Sequence, residues 1–246
     1  MHKLISILWL SCFMGSAALA EDDSLQEVVY SVQHGLQGYL ATPQGQGPFP
    51  VAIYHHGGFG PNIGGSPRDT AIALAKAGFI GFAPVRRKTV PMQDAIEDAR
   101  AAMKFIKTLP SADKKQIVLL GFSRGGHIAF YSAAGNSDVK AIVIMACAPG
   151  RRNQQEFLDQ VRHVQAPVLL MVAENDNQRT DLVALTRKIK QTLDDEKKKS
   201  RLTVYPSYRT DGHRMFFEIG SYWKDVVAFL QDKVRFSNKK NSGRNK

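Results

Sequence analysis

Of all the segments in this chain, Gly121-Phe122-Ser123-Arg124-Gly125 restricts the fold most. It follows the apolar run Gln116 to Leu120 and leads into a helix-like stretch, Arg124 to Ala134. A strand that becomes a helix at a single serine imposes unfavourable backbone angles there. It also brings strand and helix so close that side chains would collide, which is the physical reason for glycine on both sides. A strand, a sharp turn at a serine and a helix make a nucleophile elbow, with the hydroxyl exposed above a sheet. So short a pattern also arises by chance, and the rest of the chain decides its weight.

The surrounding chain alternates between two periods. Val28 to Gln33 and Leu36 to Ala41, separated by His34-Gly35, read as an antiparallel hairpin. Val51 to Tyr54 is an apolar strand, and Ser66-Pro67-Arg68-Asp69 opens a helix that Gly78 closes. Phe79 to Pro84 is the next strand. Asp94 to Leu109 then places Ile96, Ala99, Met103 and Ile106 on one face, with acids early and lysines late, an amphipathic helix whose charges suit its dipole. Further strands are expected at Gln116 to Leu120, Ala141 to Ala146, Pro167 to Ala173 and Leu202 to Tyr205. Leu182, Leu185, Ile189 and Leu193 mark a helix before the last of these, and Val226 to Val234 a closing helix. This succession predicts an α/β fold, an eight-stranded, mostly parallel sheet covered by helices on both faces. Chemistry in such sheets collects at the carboxyl ends of the strands. The segments beginning at His56, Pro84, Ser123, Cys147, Glu174 and Pro206 therefore share one edge.

Residues 1–20 read as an export signal: Lys3, an apolar stretch from Leu4 to Leu10, and Ala18-Leu19-Ala20 before an acidic run. The stretch is too short to span a bilayer, and Cys12 as a lipid attachment site is the minor alternative. Residues 21–236 are expected to form a single exported domain, periplasmic or secreted. Cys147 is then the lone cysteine of the mature chain, and stability must come from a core rather than a disulfide. The net charge of +11 invites a nucleic-acid reading, but neither clustered basic residues with stacking aromatics nor a binding module is evident. Much of the excess sits in Lys197-Lys198-Lys199 and in residues 237–246, which read as solvated or disordered segments lending weak attraction to anionic surfaces.

A serine hydroxyl becomes a nucleophile when a base takes its proton and a third group fixes that base's tautomer. His213, immediately past the last strand, is the best base; His163 and His34 are weaker candidates. Asp176, just beyond the strand Pro167 to Ala173, is the best orienting acid, with Glu174 and Asp181 as alternatives, Asp181 reading first as a helix start. The oxygen that turns negative on attack needs preplaced N–H donors. These are expected from the backbone of Arg124 and from Gly58 and Phe59 in the loop His55-His56-Gly57-Gly58-Phe59-Gly60. His55 and His56 point to opposite faces of a strand and lack a third ligand at suitable spacing, so no metal and no cofactor is expected. Arg86, Arg87, Arg124, Arg151 and Arg152 all follow strand ends on the same edge. A planar fork suited to carboxylate makes Arg86 and Arg87 candidate substrate-binding residues and favours an anionic substrate. Against this stands a simple excess of surface charge, in a chain with 33 Lys and Arg residues.

The order Ser123, Asp176, His213, the His-Gly-Gly loop and the strand succession resemble the α/β-hydrolase family from about Val28 to Val234. The short connection from Cys147 to Pro167 leaves little room for a lid, and in this the chain resembles the dienelactone hydrolase branch and the catalytic domain of prolyl oligopeptidases. Dienelactone hydrolases in the strict sense carry cysteine where this chain has Ser123. Together with the export signal, the resemblance implies an exported serine hydrolase of small or polar carboxylic esters acting through an acyl-enzyme. A small serine peptidase with the same residues, and a silent member binding a ligand in the same cleft, are the alternatives.

Overall fold

The computed structural model describes residues 24–150, 154–177 and 180–236. The export signal, Cys12, Arg151, Arg152 and the basic segment 237–246 lie outside them. Apolar runs long enough to be covered on both sides form the centre of the sheet: β3 (Phe49–His55), β4 (Ile80–Pro84) and β7 (Val168–Ala173) are buried at every residue. Only sheets covered on both faces need such strands. β5 (Ala112–Phe122) and β6 (Val139–Met145) share this character in their carboxyl halves. The edges, β1 (Leu25–Ser31) and β8 (Ser200–Tyr205), are half-exposed, and β2 (Leu36–Ala41) completes the hairpin with β1.

The eight strands lie in the order β1-β2-β4-β3-β5-β6-β7-β8, and β2 alone runs against the rest. β5 is longer at its start than the apolar run suggests, because Phe49 and Ala112 extend the β3–β5 pairing by way of an irregularity in register. α1 (Pro67–Lys76) and α6 (Trp223–Lys233) meet on one face, where Gln231 Nε2 donates to the Ala77 carbonyl at 3.1 Å. α2 (Met92–Ile106), α3 (Arg124–Ala133), α4 (Gln154–Arg162) and α5 (Leu182–Asp195) pack successively on the other. α4 buries Phe157, Leu158 and Val161, so the connection from Cys147 to Pro167 contributes a helix to this layer.

β3 has β4 on one side and β5 on the other. The chain thus leaves β3 in one direction and returns across it to β5, which makes the carboxyl ends of these two strands the point where the strand order reverses, the place at which α/β sheets hold ligands.

Candidate active site

Ser123 lies at that carboxyl edge, in the turn between β5 and α3, with φ 53° and ψ −120°. A non-glycine residue with positive φ costs about 1–3 kcal/mol and persists only where its surroundings over-determine it. Here they do. A β-carbon on Gly121 would come 2.4 Å from the Gly125 carbonyl oxygen, and one on Gly125 would come 1.9 Å from that of His55. The Ser123 N–H is held by the Met145 carbonyl at 2.9 Å, and its own carbonyl accepts from Gly126 and Ala148, both at 3.0 Å.

His213 Nε2 lies 3.0 Å from Ser123 Oγ, and its Nδ1 lies 2.9 Å from Asp176 Oδ2. Asp176 is 4% exposed and accepts at Nδ1, which puts the proton on that nitrogen and leaves Nε2 free to take one from the serine. His213 sits on a one-turn 3-10 helix, Gly212–Phe216, that the sequence pattern does not reveal, and the Asp211 carboxylate caps it by accepting the His213 N–H at 3.0 Å. The ring of Phe122 packs against the imidazole at 4.8 Å between centroids. Of the alternative acids, Glu174 is exposed, and Asp181 accepts the Ala184 N–H at the start of α5. His163 follows the last residue of α4, and His34 lies in the early turn between β1 and β2.

Asn175 is a residue that sequence reasoning missed. Its side-chain oxygen accepts the Tyr208 N–H at 2.9 Å, and its amide donates to the carbonyls of Tyr208 and Arg209 at 3.3 and 3.1 Å. It fastens the loop carrying the acid to the loop carrying the base. No periodicity marks it, and adjacency to Asp176 is its sole signal.

The loop after β3 borders the serine on the other side: a β-carbon on Gly57 would come 3.1 Å from Ser123 Cβ. The N–H groups of Gly58 and Phe59 in this loop donate to nothing among the described residues. The Arg124 N–H opens α3, where a helix leaves its first amides unpaired. Of the three expected donors, Gly58 and Phe59 thus lie on the loop after β3, and Arg124 at the start of α3, directly after Ser123. His55 and His56 are buried, and burial first, then the charge of Arg86, lowers the pKa of each to about 3. Among the described residues no cluster of His, Cys, Asp and Glu is arranged to hold a metal.

Arg86 and Arg87, the candidate anion-binding residues, both have partners within the protein. Arg87 turns to α2, where Nε donates to Asp98 Oδ1 at 2.7 Å and Nη2 lies 2.6 Å from the same carboxylate, whose side chain is fully buried. Asp98 is therefore a structural counter-ion as well as an acid early in a helix. Arg86 turns instead onto the carbonyls of His56, Gly57 and Gly58. The Arg124 guanidinium donates to the Val90 carbonyl and lies 4.3 Å over the Phe59 ring. Each of the three arginines is held by the protein itself.

The model of the dienelactone hydrolase family matches residues 85–218, more than half of the chain, a range that holds Ser123, Asp176 and His213 but begins after the His-Gly-Gly loop. Esterase EstD of Thermotoga maritima is 30% identical over 162 residues, covering 59% of this chain and 38% of that protein. The uncharacterized peptidase YtmA of Bacillus subtilis is 27% identical over 177 residues, covering 57% of this chain and 68% of its own length. The chain thus spans well under half the length of the esterase it matches. In fold it is similar to Thermogutta terrifontis esterase 2 phosphoramylated by tabun, with a TM-score of 0.67 at 15% identity over 86% of this chain and 94% of that one. It is also similar to Porphyromonas gingivalis dipeptidyl peptidase 4, with a TM-score of 0.67 at 16% identity over 85% of this chain and 35% of that one.

Proposed function

The chain belongs to the dienelactone hydrolase family, and from that membership and the geometry around Ser123 we propose that it is a serine hydrolase of carboxylic esters. Ser123 Oγ attacks the ester carbonyl while His213 Nε2 takes its proton, and Asp176 holds the imidazole in the required tautomer. The carbonyl oxygen, now negative, is met by the N–H of Arg124 and those of Gly58 and Phe59. His213 returns the proton to the departing alcohol, leaving an acyl-enzyme. Water, deprotonated by His213, then attacks the acyl carbon and frees the acid together with Ser123.

One observation carries this reading. Ser123, His213 and Asp176, separated by 90 and 37 residues in sequence, form an unbroken hydrogen-bonded series at 3.0 and 2.9 Å at the carboxyl edge of the sheet. Substrate choice follows from what surrounds it. Phe59, Ile63, Val90, Phe217 and Ile219 are exposed on the loops after β3, β4 and β8 that border the serine. Exposed apolar groups on loops that border a site mark binding surfaces. They favour a small uncharged ester with an apolar acyl or aryl group, and the engaged arginines argue against a carboxylate-bearing one. The peptidase reading draws on the name of the Bacillus relative and the likeness to dipeptidyl peptidase 4. Residues 1–20 support export, which a mature amino terminus at Glu21 in the cell envelope or medium would establish.

The test is labelling with a fluorophosphonate followed by mass mapping, then turnover of matched aryl esters and aryl amides from acetyl to palmitoyl. Label on Ser123 and fastest turnover of short-chain esters are expected. Label elsewhere, or none on a folded protein, sinks the mechanism; amides turned over faster than esters would favour the peptidase.

A further inference from the structure

The partners of Arg86 are unusual for a guanidinium. It forms no ion pair among the described residues and instead donates to three consecutive main-chain carbonyls: Nη1 to His56 at 2.5 Å, and Nη2 to Gly57 at 3.2 Å and Gly58 at 3.5 Å. Its own N–H donates to His56 Nε2 at 3.3 Å. With Nε2 accepting, His56 Nδ1 carries the proton and donates to the Gly57 carbonyl at 2.7 Å, closing the frame. Burial, and then the nearby charge of Arg124, lower the pKa of Arg86 to about 10, so the group is charged at neutral pH. A largely desolvated charge whose side-chain hydrogen bonds go only to carbonyls, with Asp98 acting on it from a distance, is costly to maintain. Carboxylates stand nearby, and Arg87 takes them.

The consequence lies on the far side of the same peptide groups. In a trans peptide the carbonyl and the N–H point in opposite directions. Drawing the carbonyls of residues 56, 57 and 58 toward one guanidinium turns the N–H groups of Gly57, Gly58 and Phe59 away from it. The Gly57 N–H is taken by the Gly64 carbonyl at 2.8 Å. Those of Gly58 and Phe59 remain unpaired among the described residues, in a loop that passes so near Ser123 that a β-carbon on Gly57 would come 3.1 Å from Ser123 Cβ. Gly58 has φ +85°, a conformation open to few other residues, so a loop this pliant needs something to hold it.

We propose that Arg86 is a positioning residue: its fork fixes the peptide planes of residues 56–59 so that Gly58 and Phe59 present their N–H groups to the oxyanion formed on Ser123. Its positive charge, behind the carbonyl ends of those planes, also deepens the positive potential at their N–H ends. The proposal rests on the serine-hydrolase reading and makes Arg86 matter to the transition state while leaving ground-state substrate binding almost untouched.

The full chain and its Arg86→Lys and Arg86→Met variants test this, with steady-state turnover of an aryl acetate, inhibition by an alkyl trifluoromethyl ketone and thermal melting. The ketone adds to the serine to give an oxyanion, so it reads the hole directly. For Arg86→Met we expect kcat to fall about 10²- to 10³-fold with KM within about threefold, and ketone affinity to fall in step with kcat. Arg86→Lys keeps the charge but loses the fork and should lie between. Added methylguanidine should restore part of the turnover of Arg86→Met. Where Arg86→Met fails to fold, Arg86→Lys carries the same comparison. A rise in KM with unchanged kcat would place Arg86 on the substrate and overturn the proposal, as would loss of melting temperature with unchanged turnover by the folded fraction. A folded wild-type protein inert to both ester and phosphonate removes the serine-hydrolase reading and this proposal together, whereas active wild type with equally active variants removes this proposal alone.

Discussion

Ser123 combines strain with exposure, a pairing that stability alone would not select. Its φ of 53° is held by main-chain hydrogen bonds to Met145, Gly126 and Ala148, and its hydroxyl meets His213 Nε2 at 3.0 Å. Ser123→Ala and His213→Ala should each lower ester turnover by about 10³-fold or more with the melting temperature preserved, since such groups act as a unit. Asp176→Asn should also cripple turnover; Glu174→Gln, which alters an exposed side chain, should not. Steady-state kinetics on an aryl acetate checks all four, and full activity in a folded Ser123→Ala protein would falsify the mechanism. The glycine at 125 answers to packing instead. A β-carbon there would sit 1.9 Å from the His55 carbonyl oxygen, so Gly125→Ala should lower stability by about 3 kcal/mol, read as a shift of the urea midpoint.

Loops rather than strands carry the reacting groups, and their fastening determines how well the site is held. The loop after β7 holds Asp176 and the loop after β8 holds His213, and Asn175 joins them through three hydrogen bonds to the backbone of Tyr208 and Arg209. Its replacement leaves a main-chain N–H and two carbonyls short of partners, at about 1–3 kcal/mol. Asn175→Ala should therefore lower kcat about 10- to 100-fold while a fluorophosphonate still labels Ser123, only more slowly. Labelling and turnover at the wild-type rate would show that the 3-10 helix under His213 suffices alone. On the opposite side of the serine, Arg86 and Arg124 tie down the loops after β3 and β4 in the same manner, through backbone carbonyls.

Across the whole molecule, three buried histidines couple the fold to pH. Burial, helped by Arg86 for His55 and His56 and by Arg124 for His127, lowers their folded pKa values from 6.5 to about 3, about 3 and about 4. As pH falls below 6.5 the unfolded chain takes up protons that the folded chain refuses, so stability declines with falling pH through the window from 6.5 to 3–4. Each histidine contributes at most about 1.4 kcal/mol per pH unit there. Urea midpoints measured at pH 7, 6 and 5 should fall progressively. His127 has neither ring nitrogen paired and packs between Tyr131 and Phe157. His127→Phe should make the decline shallower, and an unchanged slope would show that His127 is not among the groups responsible.

The layout of the sheet was legible in the chain because burial on both faces leaves a plain signature, runs of apolar residues at the centre and mixed patterns at β1 and β8. The elbow was legible too, since steric exclusion at Gly121 and Gly125 admits no other residue. Position past the strand favoured Asp176 over Glu174 and Asp181 as the acid against His213, but its direction was not legible: the turn closed by the Asp176 N–H on the Ala173 carbonyl, at 3.1 Å, goes with its inward side chain. Periodicity likewise says nothing of a 3-10 helix five residues long or of Asn175, whose partners lie 33 and 34 residues away. The arginines show the divide most sharply. Their chemistry is readable as a planar fork that seeks oxygen, but sequence offers three kinds of oxygen: substrate carboxylate, side-chain carboxylate and peptide carbonyl. Only tertiary structure brings Asp98 to Arg87 and the peptide planes of residues 56–59 to Arg86, since long side chains are directed by what the fold places within their reach.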